Sequence, residues 1–243
     1  MLTNIFTKMK VIYEDNHLII VSKAPGEIVQ GDKTGDKPLS DTIKEYIKEA
    51  YAKPGNVFLG VVHRLDRPVS GLVLFARTSK ALPRLNTMFA NGDVHKTYWA
   101  IVGPSVSGEV QLDGEWHTLT HWLVRNEKQN KSYAYDREVP NSKKAILDYR
   151  LIAKGERYYM LEVNLKTGRH HQIRCQLAKI GCPIKGDLKY GAKRSNSDGS
   201  IGLHARRMEF IHPVSKKQII VEASVPSDNL WQSLDAIRTA AKD

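Results

Sequence analysis

The polar turn HRLDRPVSG, residues 63–71, contains the residue types that could perform chemistry. In it, Asp66 is flanked by Arg64 and Arg67, and the turn lies between two apolar segments, VFLGVV and LVLFA. The β-branched and Leu/Phe content of these segments predicts buried strands. Catalytic groups tend to lie on loops that rigid elements hold, so Asp66 is a candidate catalytic carboxylate. The same pattern suits an exposed ion-pair cluster of little energetic value, and charge alone leaves both interpretations open.

The charge balance indicates a polyanionic partner. The 243 residues include 37 Lys and Arg against 26 Asp and Glu, which gives a formal net charge of +11. The excess is concentrated between Lys166 and Lys217, where 12 basic and 3 acidic residues occur. An extended phosphate backbone is the commonest polyanion in a cell, so nucleic acid is the expected partner. A solvated basic face remains an open alternative.

The sequence lacks the patterns of a metal site, a disulfide framework and a membrane span. Cys175 and Cys182 are too few for either of the first two. The adjacent His170 and His171 are expected to point in different directions, so we expect no metal ion. No window reaches the roughly 18 apolar residues of a membrane span, and the N-terminus has no apolar leader core. The expected location is cytoplasmic, without membrane contact.

Predicted strands and helices surround the candidate turn. Before residue 103 they are two strands over 10–22, a helix with Ser40 as N-cap, the strands 57–62 and 72–76, a helix capped by Thr78 or Ser79 that ends near Gly92, and a strand over 95–102. Residues 103–144 are the least informative part of the sequence: Asp113-Gly114 suggests a hairpin turn, and residues 125–144 are polar with no clear period. After them we predict an antiparallel pair over 145–165, a helix from His171 to Ile180 closed by Gly181, a hairpin over 203–226 and a helix capped by Ser227. This alternation of strands and helices predicts an α+β fold.

The turn resembles the central motif of the RluA-type RNA pseudouridine synthases. His63-Arg64-Leu65-Asp66 followed by Ser70-Gly71 matches that motif, with Val69 where the family commonly has Thr. Further matching stretches are KAPG at Lys23–Gly26, KTYWA at Lys96–Ala100, TGRHHQIR followed by GCPIKGDLKYG within 167–191, and LHA at Leu203–Ala205. Gln176 stands where many members carry His, which we interpret as a subfamily difference. The resemblance covers roughly residues 10–226.

The resemblance implies a reaction and the residues that carry it out. Pseudouridine formation breaks the bond from uridine N1 to the ribose, rotates the uracil and rejoins it through C5, so no cofactor or metal is expected. The family pattern assigns Asp66 as the nucleophile, Tyr98 as the aromatic side chain against the target base, and Arg174 as the arginine that reaches the catalytic carboxylate and favours its ionised form. Arg64 would enter the position that a flipped nucleotide vacates. Leu203 is expected to line the active site.

The resemblance also implies how the protein meets its substrate. We expect one catalytic domain over residues 1–243, with a mixed, mostly antiparallel central sheet, flanking helices and a basic cleft, and no separate S4-type module before it. The partner would be structured ribosomal or transfer RNA, bound by a monomer. The residues expected to contact RNA are Arg64, Arg67, Arg169, His171, Lys185, Lys189, Lys193, Arg194, Arg206 and Arg207.

Two other functions are alternative interpretations of the sequence. A protein with the same fold could bind RNA without catalysis, but the joint presence of Asp66, Tyr98 and Arg174 argues against it. A glycosidase also breaks a bond at C1′ of a sugar, but such enzymes usually need two carboxylates. The central motif offers only Asp66, and Asp187 in a Gly-Asp turn is expected to be structural.

Overall fold

The protein is described by a computed structural model over residues 9–103, 110 and 112–241. Its elements in chain order are β1 (Lys10–Glu14), β2 (Leu18–Lys23), α1 (Leu39–Ala50), β3 (Gly60–Val61), β4 (Ser70–Ala76), α2 (Ala81–Asn91), β5 (His95–Val102), β6 (His117–Asn126), β7 (Lys131–Tyr135), β8 (Lys143–Lys154), β9 (Tyr159–Leu165), α3 (Gln172–Lys179), a short 3-10 helix (Leu188–Tyr190), β10 (Leu203–Ile211), β11 (Gln218–Glu222) and α4 (Asn229–Ala240). These elements confirm the predicted α+β class. The chain forms two compact units, Met1–His95 with Ala205–Ser224, and Lys96–His204 with Val225–Asp243.

The sheet of the first unit has the order β1-β2-β4-β10, with β3 paired to β4 and β11 paired to β10. Strand β2 lies antiparallel to β4 along its whole length, from Leu18 opposite Ala76 to Lys23 opposite Gly71. Both strands are almost entirely buried, which agrees with their continuous apolar sequence. They fix the two ends of the candidate turn, because β4 begins where the turn ends.

The segment before the turn is less regular than predicted. Residues 57–62 were expected to form a full strand, but β3 contains only Gly60 and Val61. These two residues pair with Ala76 and Phe75 at the far end of β4. The chain leaves the sheet after Val61, so the candidate turn lies between the short strand β3 and the long strand β4.

Helix α1 begins one residue before the predicted cap. Its N-cap is Pro38, and Ser40 lies buried inside the first turn, so the assignment of Ser40 as N-cap was wrong. The N–H groups of Leu39 and Ser40 donate to the carbonyls of Ile28 and Val29, at 2.8 and 3.2 Å. The preceding loop therefore satisfies donors that a capping side chain would otherwise take.

Helix α2 ends at Gly92 as predicted, but its N-cap is Lys80 rather than Thr78 or Ser79. The Thr78 hydroxyl accepts from the N–H of Ala81 at 3.2 Å, and the helix ends at Gly92 in a left-handed conformation. Its Ala81 and Leu85 are buried in an apolar core. The core also contains Leu18, Ile20, Leu72, Leu74, Ala76, Val94, Met208, Phe210, Val221 and Ala223. This packing makes β4 a rigid support for the turn that precedes it.

The second unit contains the sheet β5-β9-β8-β6-β7, all antiparallel. The predicted pair over 145–165 is confirmed as β8 and β9. The hairpin of β6 and β7 lies inside the stretch 103–144, which had no recognisable period. Residues 104–109 and 111 of that stretch lie outside the described residues.

Helix α4 starts at Asn229, and its N-cap is Asp228 rather than the predicted Ser227. The Asp228 carboxylate accepts from the N–H groups of Leu230 and Trp231, at 2.8 and 3.2 Å. Trp231 and Leu234 are the buried residues of this helix, whereas Ile237 is 41% exposed. Within the described part of the chain, no helix combines the length and apolar character needed to span a membrane.

Candidate active site

The turn that carries Asp66 is anchored by two buried side chains. Leu65 is 8% exposed and Val69 is 2% exposed, while Asp66 between them is half-buried and Arg64 is exposed. The N–H of Val69 donates to the carbonyl of Asp66 at 3.0 Å, which closes a tight backbone turn. The apolar anchors therefore hold a carboxylate at the border between core and solvent. A nucleophile or an acid-base group needs that combination of fixed position and access.

Lys23 binds this turn from the end of β2. Its side chain is only 1% exposed, and its ammonium lies 2.9 Å from the carbonyl of Ala24, 3.0 Å from that of Arg67 and 2.6 Å from that of Val69. An ammonium has three N–H donors, so three carbonyls can satisfy it completely. Two of these acceptors belong to the Asp66 turn, which makes Lys23 a positioning residue for Asp66.

The buried environment of Lys23 lowers its pKa. Burial lowers the pKa of Lys23 from 10.5 to about 8, and the nearby carboxylates of Glu27 and Asp66 oppose that shift. The ammonium is thus poised to lose its proton only slightly above neutral pH. At neutral pH its positive charge lies near the Asp66 carboxylate.

Two more side chains of the turn fix its backbone. The Nε2 atom of His63 accepts from the N–H of Leu74 in β4 at 3.0 Å, and the His63 ring stacks on Phe89 with centroids 4.8 Å apart. Arg67 pairs with Asp36 at 2.6 Å and with Asp32 at 3.6 Å. Both flanks of Asp66 are therefore tied to neighbouring segments of the first unit.

The Ser70-Gly71 pair that ends the turn has a steric reason. Gly71 has a φ of +110°, and a Cβ atom built on it would lie 2.3 Å from the carbonyl oxygen of Ala205 in β10. No side chain fits at such a distance, so glycine allows the two strands to approach. The HRLD and Ser-Gly parts of the motif thus both fix the position of the turn relative to the sheet.

The other predicted catalytic residues belong to the second unit. Tyr98 is buried at 8% exposure on β5, where it lies opposite Val163 of β9. Lys96 lies two residues earlier on the same face of the strand, and burial lowers its pKa. Leu203, the predicted lining residue, is also buried, with 4% exposure.

Arg174 forms a buried, two-point ion pair with Asp187. Its Nε and Nη2 atoms donate to the Asp187 carboxylate at 2.7 and 2.9 Å, and the two residues are 5% and 1% exposed. The third guanidinium nitrogen, Nη1, lies 3.1 Å from Nε2 of His171. The planar guanidinium is therefore fixed in direction by two partners. This pair was not predicted from the sequence, although Asp187 lies in the same motif as Arg174.

His171 links Arg174 to Tyr190. Its Nδ1 lies 3.0 Å from the Tyr190 hydroxyl, which also accepts from the N–H of Ser132 at 2.8 Å. Because a guanidinium can only donate, Nε2 of His171 must accept from Arg174, and the imidazole is neutral with its proton on Nδ1. Burial raises the pKa of Tyr190, so its hydroxyl stays protonated.

The expectation that His170 and His171 point apart was wrong. Their rings stack with centroids 3.8 Å apart and an interplanar angle of 21°. His171 has a φ of +52°, a left-handed conformation just before α3, so the pair follows neither helical nor strand geometry. Such strained backbone tends to occur at functional sites. Among the residues that the structure describes, no group of three or more His, Cys, Asp or Glu side chains could hold a metal ion.

The residues predicted to contact RNA fall into two sets. Arg64, Lys193 and Arg194 are exposed; Arg169 and Lys189 are exposed but also donate to backbone carbonyls, and Lys185 is half-buried with its ammonium on Asn196. The others are engaged within the protein: Arg67 with Asp36 and Asp32, His171 with Tyr190 and Arg174, Arg206 with Glu222, and Arg207 with Glu209 and Glu222. A phosphate would compete with these carboxylates, so the exposed set is the better candidate for direct contact.

Comparison with known proteins identifies a single family. Residues 17–179 match the model of the RNA pseudouridylate synthase family. The matched residues make up more than half of the chain. A tRNA pseudouridine synthase C from Vibrio parahaemolyticus is 28% identical over 248 residues, covering 93% of this chain and 94% of the relative. A ribosomal large subunit pseudouridine synthase D from Xanthomonas campestris is 32% identical over 248 residues, covering 95% of this chain and 70% of the relative.

Solved structures support the fold. Human RNA pseudouridylate synthase domain containing 4 has a TM-score of 0.71 and 21% identity, covering 90% of this chain and 89% of that one. Human RNA pseudouridylate synthase domain containing 1 has a TM-score of 0.67, also at 21% identity, covering 95% and 87%. At this identity the likeness concerns the fold alone.

Proposed function

Because the chain belongs to the RNA pseudouridylate synthase family, and within it to the RluA type, we propose that Asp66 is the nucleophile with which it isomerises uridine in folded RNA. The chain is an RNA pseudouridine synthase. The role proposed for Asp66 is supported by the structure of its turn. Two buried side chains and the Lys23 ammonium hold the half-buried carboxylate in place. A fixed nucleophile avoids the entropy cost of finding the reacting atom.

The reaction is balanced without an outside reagent. The bond between uridine N1 and C1′ of the ribose breaks, and a bond between C5 and C1′ forms. The proton on C5 is lost and N1 gains one, so substrate and product are isomers. The protein must supply a nucleophile, a surface that retains the freed uracil, and a base that removes the C5 proton.

Two residues of the second unit are proposed for the remaining tasks. Tyr98 would stack on the uracil and assist removal of the C5 proton, directly or through water. Arg174 would stabilise the ionised nucleophile, a role suited to a guanidinium that Asp187 and His171 already orient. Tyr98→Phe keeps the ring but lacks the hydroxyl, so it separates stacking from proton transfer.

We propose that Arg64 replaces the flipped nucleotide in the RNA helix. Its side chain is exposed and lies two residues before Asp66. Flipping costs a few kcal/mol in a stem but little in a single strand. Arg64→Ala should therefore reduce turnover strongly on folded RNA and only slightly on an unstructured RNA that contains the same target. Equal turnover by Arg64→Ala and wild type on folded RNA would remove this role.

The substrate is proposed to be transfer RNA or ribosomal RNA, since the names of the relatives include both. The exposed basic residues of 166–217 would bind the phosphates. Such binding releases counterions, so affinity should fall steeply as salt rises. An affinity that does not depend on salt would contradict this phosphate track.

Tritium release tests the reaction and the nucleophile together. Transfer and ribosomal RNA fractions that carry [5-³H]uridine would come from a strain without this protein. Wild type should release tritium from one fraction, and Asp66→Asn from neither. The responding fraction would identify the substrate class. RNA binding by wild type without release from either fraction would favour a non-catalytic RNA-binding protein instead.

A further inference from the structure

The β6–β7 hairpin has one covered face and one open face. On the covered face, Leu123 and Ala134 pack in an apolar cluster with Cys175 and Ala178 of α3. Side chains of the opposite parity point away from that cluster. In this second set, Trp122 lies across from Tyr135, and Val124 across from Tyr133. We call these four residues the hairpin face.

The hairpin face exposes aromatic rings to solvent. Tyr133 is 38% exposed and Tyr135 is 41% exposed, and Trp122 is half-buried. Residues i and i+2 of a strand are about 6.7 Å apart. That spacing is close to twice the roughly 3.4 Å rise between stacked bases. One base can therefore fit between the rings of Tyr133 and Tyr135.

Lysines lie beside these rings. The ammonium of Lys131 is 5.4 Å from the centroid of the Tyr133 ring, and that of Lys144 is 5.9 Å from the Trp122 ring. Both lysines have the strand parity of the hairpin face, because Lys144 lies opposite Trp122 and Lys131 precedes Tyr133 by two. A cation thus lies beside each of these two rings, and the Lys131 ammonium is also 5.3 Å from the Tyr190 ring centroid.

Two nearby carboxylates are paired with lysines outside the hairpin face. Asp136, next to Tyr135, pairs with Lys179 at 2.9 Å. Asp148 of β8 pairs with Lys166 at 3.0 Å. Lys131 and Lys144, beside the hairpin face, therefore keep their charge available for a polyanion. This agrees with the net charge of +11 of the chain.

The hairpin is also fixed before any ligand arrives. The Lys189 ammonium binds the carbonyls of Gln129 and Asn130, at 3.2 and 3.0 Å, in the turn between the strands. The side chain of Asn130 lies 3.1 Å from Nε2 of His170. A preformed surface loses little entropy when it binds a ligand.

We propose that the hairpin face is an RNA-docking surface, on which unpaired bases of the substrate stack on Tyr133, Tyr135 and Trp122. Lys131 and Lys144 contact the adjacent phosphates. Stacking on side chains requires unstacked bases, so the ligand is a single-stranded segment that flanks the target uridine rather than a continuous stem. This inference rests on the proposed function, because it deepens how the same enzyme recognises its RNA.

Binding to short RNA tests the surface. The probes are a fluorescein-labelled 12-nucleotide oligouridylate and a 12-base-pair RNA duplex. Tyr133→Ala/Tyr135→Ala should weaken oligouridylate binding at least tenfold and duplex binding less than twofold. Tyr133→Phe/Tyr135→Phe keeps both rings and should bind like wild type. The matched control is Lys154→Ala/Tyr159→Ala, which removes a similar lysine-tyrosine pair, 5.7 Å apart, at the β8–β9 turn.

Several results would overturn the proposal. One is unchanged oligouridylate affinity in the Ala variant, and another is an equal loss in the Phe variant. A dimer that the Ala variant disrupts, detected by light scattering, would mean that a second copy covers the face. Tritium release keeps the two hypotheses apart. If wild type releases tritium and the Ala variant binds oligouridylate normally, only the docking surface is rejected. If the Ala variant loses binding and wild type releases no tritium, the surface is supported and the reaction is rejected.

Discussion

The ammonium of Lys23 lies 2.6 Å from the carbonyl oxygen of Val69, so the end of β2 holds the turn that contains Asp66. The same ammonium binds the carbonyl of Arg67, and its own charge lies near the Asp66 carboxylate. Lys23 thereby serves both the position of Asp66 and its electrostatic environment. The first predictions follow from this relationship.

Lys23→Met should impair both stability and turnover. Methionine is close to lysine in shape but donates no hydrogen bond, so the carbonyls of Ala24, Arg67 and Val69 lose their partner. Leaving a buried acceptor unsatisfied costs about 1–3 kcal/mol, so for three acceptors we expect a loss of at least about 3 kcal/mol in the free energy of unfolding. Urea denaturation and kcat/KM on folded RNA measure the two effects. Lys37→Met, which removes an exposed lysine paired with Glu45, should change neither.

The pKa of Lys23, lowered to about 8 by burial, predicts opposite trends of activity and stability with pH. Neutral lysine has two N–H donors for three carbonyls, so turnover should fall as pH rises through about 8. Stability should rise over the same interval, because the unfolded chain, with an ordinary lysine pKa, then binds more protons than the folded one. Rates and urea midpoints between pH 7 and 9.5 test this. Lys23→Met should lack both trends, and identical profiles for the variant and wild type would contradict the assignment.

Gly71→Ala should destabilise the protein more than its backbone conformation alone requires. A Cβ atom would lie 2.3 Å from the Ala205 carbonyl oxygen, so β4 and β10 must separate. Gly35→Ala provides the control, since Gly35 also has a positive φ, +77°, but has no heavy atom within 4 Å of an added Cβ. We expect about 1 kcal/mol for Gly35→Ala from the left-handed conformation. Gly71→Ala should lose at least twice as much, and equal losses in urea denaturation would contradict the close approach.

Asp187→Asn should remove the buried negative charge to which Nε and Nη2 of Arg174 donate. Breaking a buried ion pair from one side costs about 3–5 kcal/mol. Glu162→Gln is the control, because Glu162 binds Arg150 through a similar contact in a more exposed place. Its loss should stay below about 1 kcal/mol. A similar urea midpoint for the two variants would show that burial of the Arg174–Asp187 pair matters little.

The sequence predicted those features that depend on local pattern. Strands β1, β2, β4, β5, β8 and β9 and the four helices follow from apolar content and periodicity, and the chemistry-bearing residues were found through short motifs. Some of the failures depended on partners distant in sequence. Ser40 lost its capping role because the loop at Ile28 and Val29 supplied backbone acceptors.

The site shows the same limit. Lys23 was recognised only as part of a KAPG motif, because nothing in the sequence places its ammonium on carbonyls more than 40 residues away. The Arg174–Asp187 pair likewise requires the turn after α3 to fold back onto that helix. The hairpin of β6 and β7 was missed because polar residues such as Thr118 and Thr120 share a strand face with Trp122, which blurs the alternation.

The role of Asp66 is tested most directly by single-turnover tritium release from folded RNA. Wild type, Asp66→Asn and Asp187→Asn would be compared at saturating enzyme, at a temperature where urea denaturation shows each variant to be folded. Asp66→Asn should bind RNA without detectable release, and Asp187→Asn should show slower but measurable release. Release by Asp66→Asn at a rate near that of wild type would contradict the assignment of Asp66 as the nucleophile.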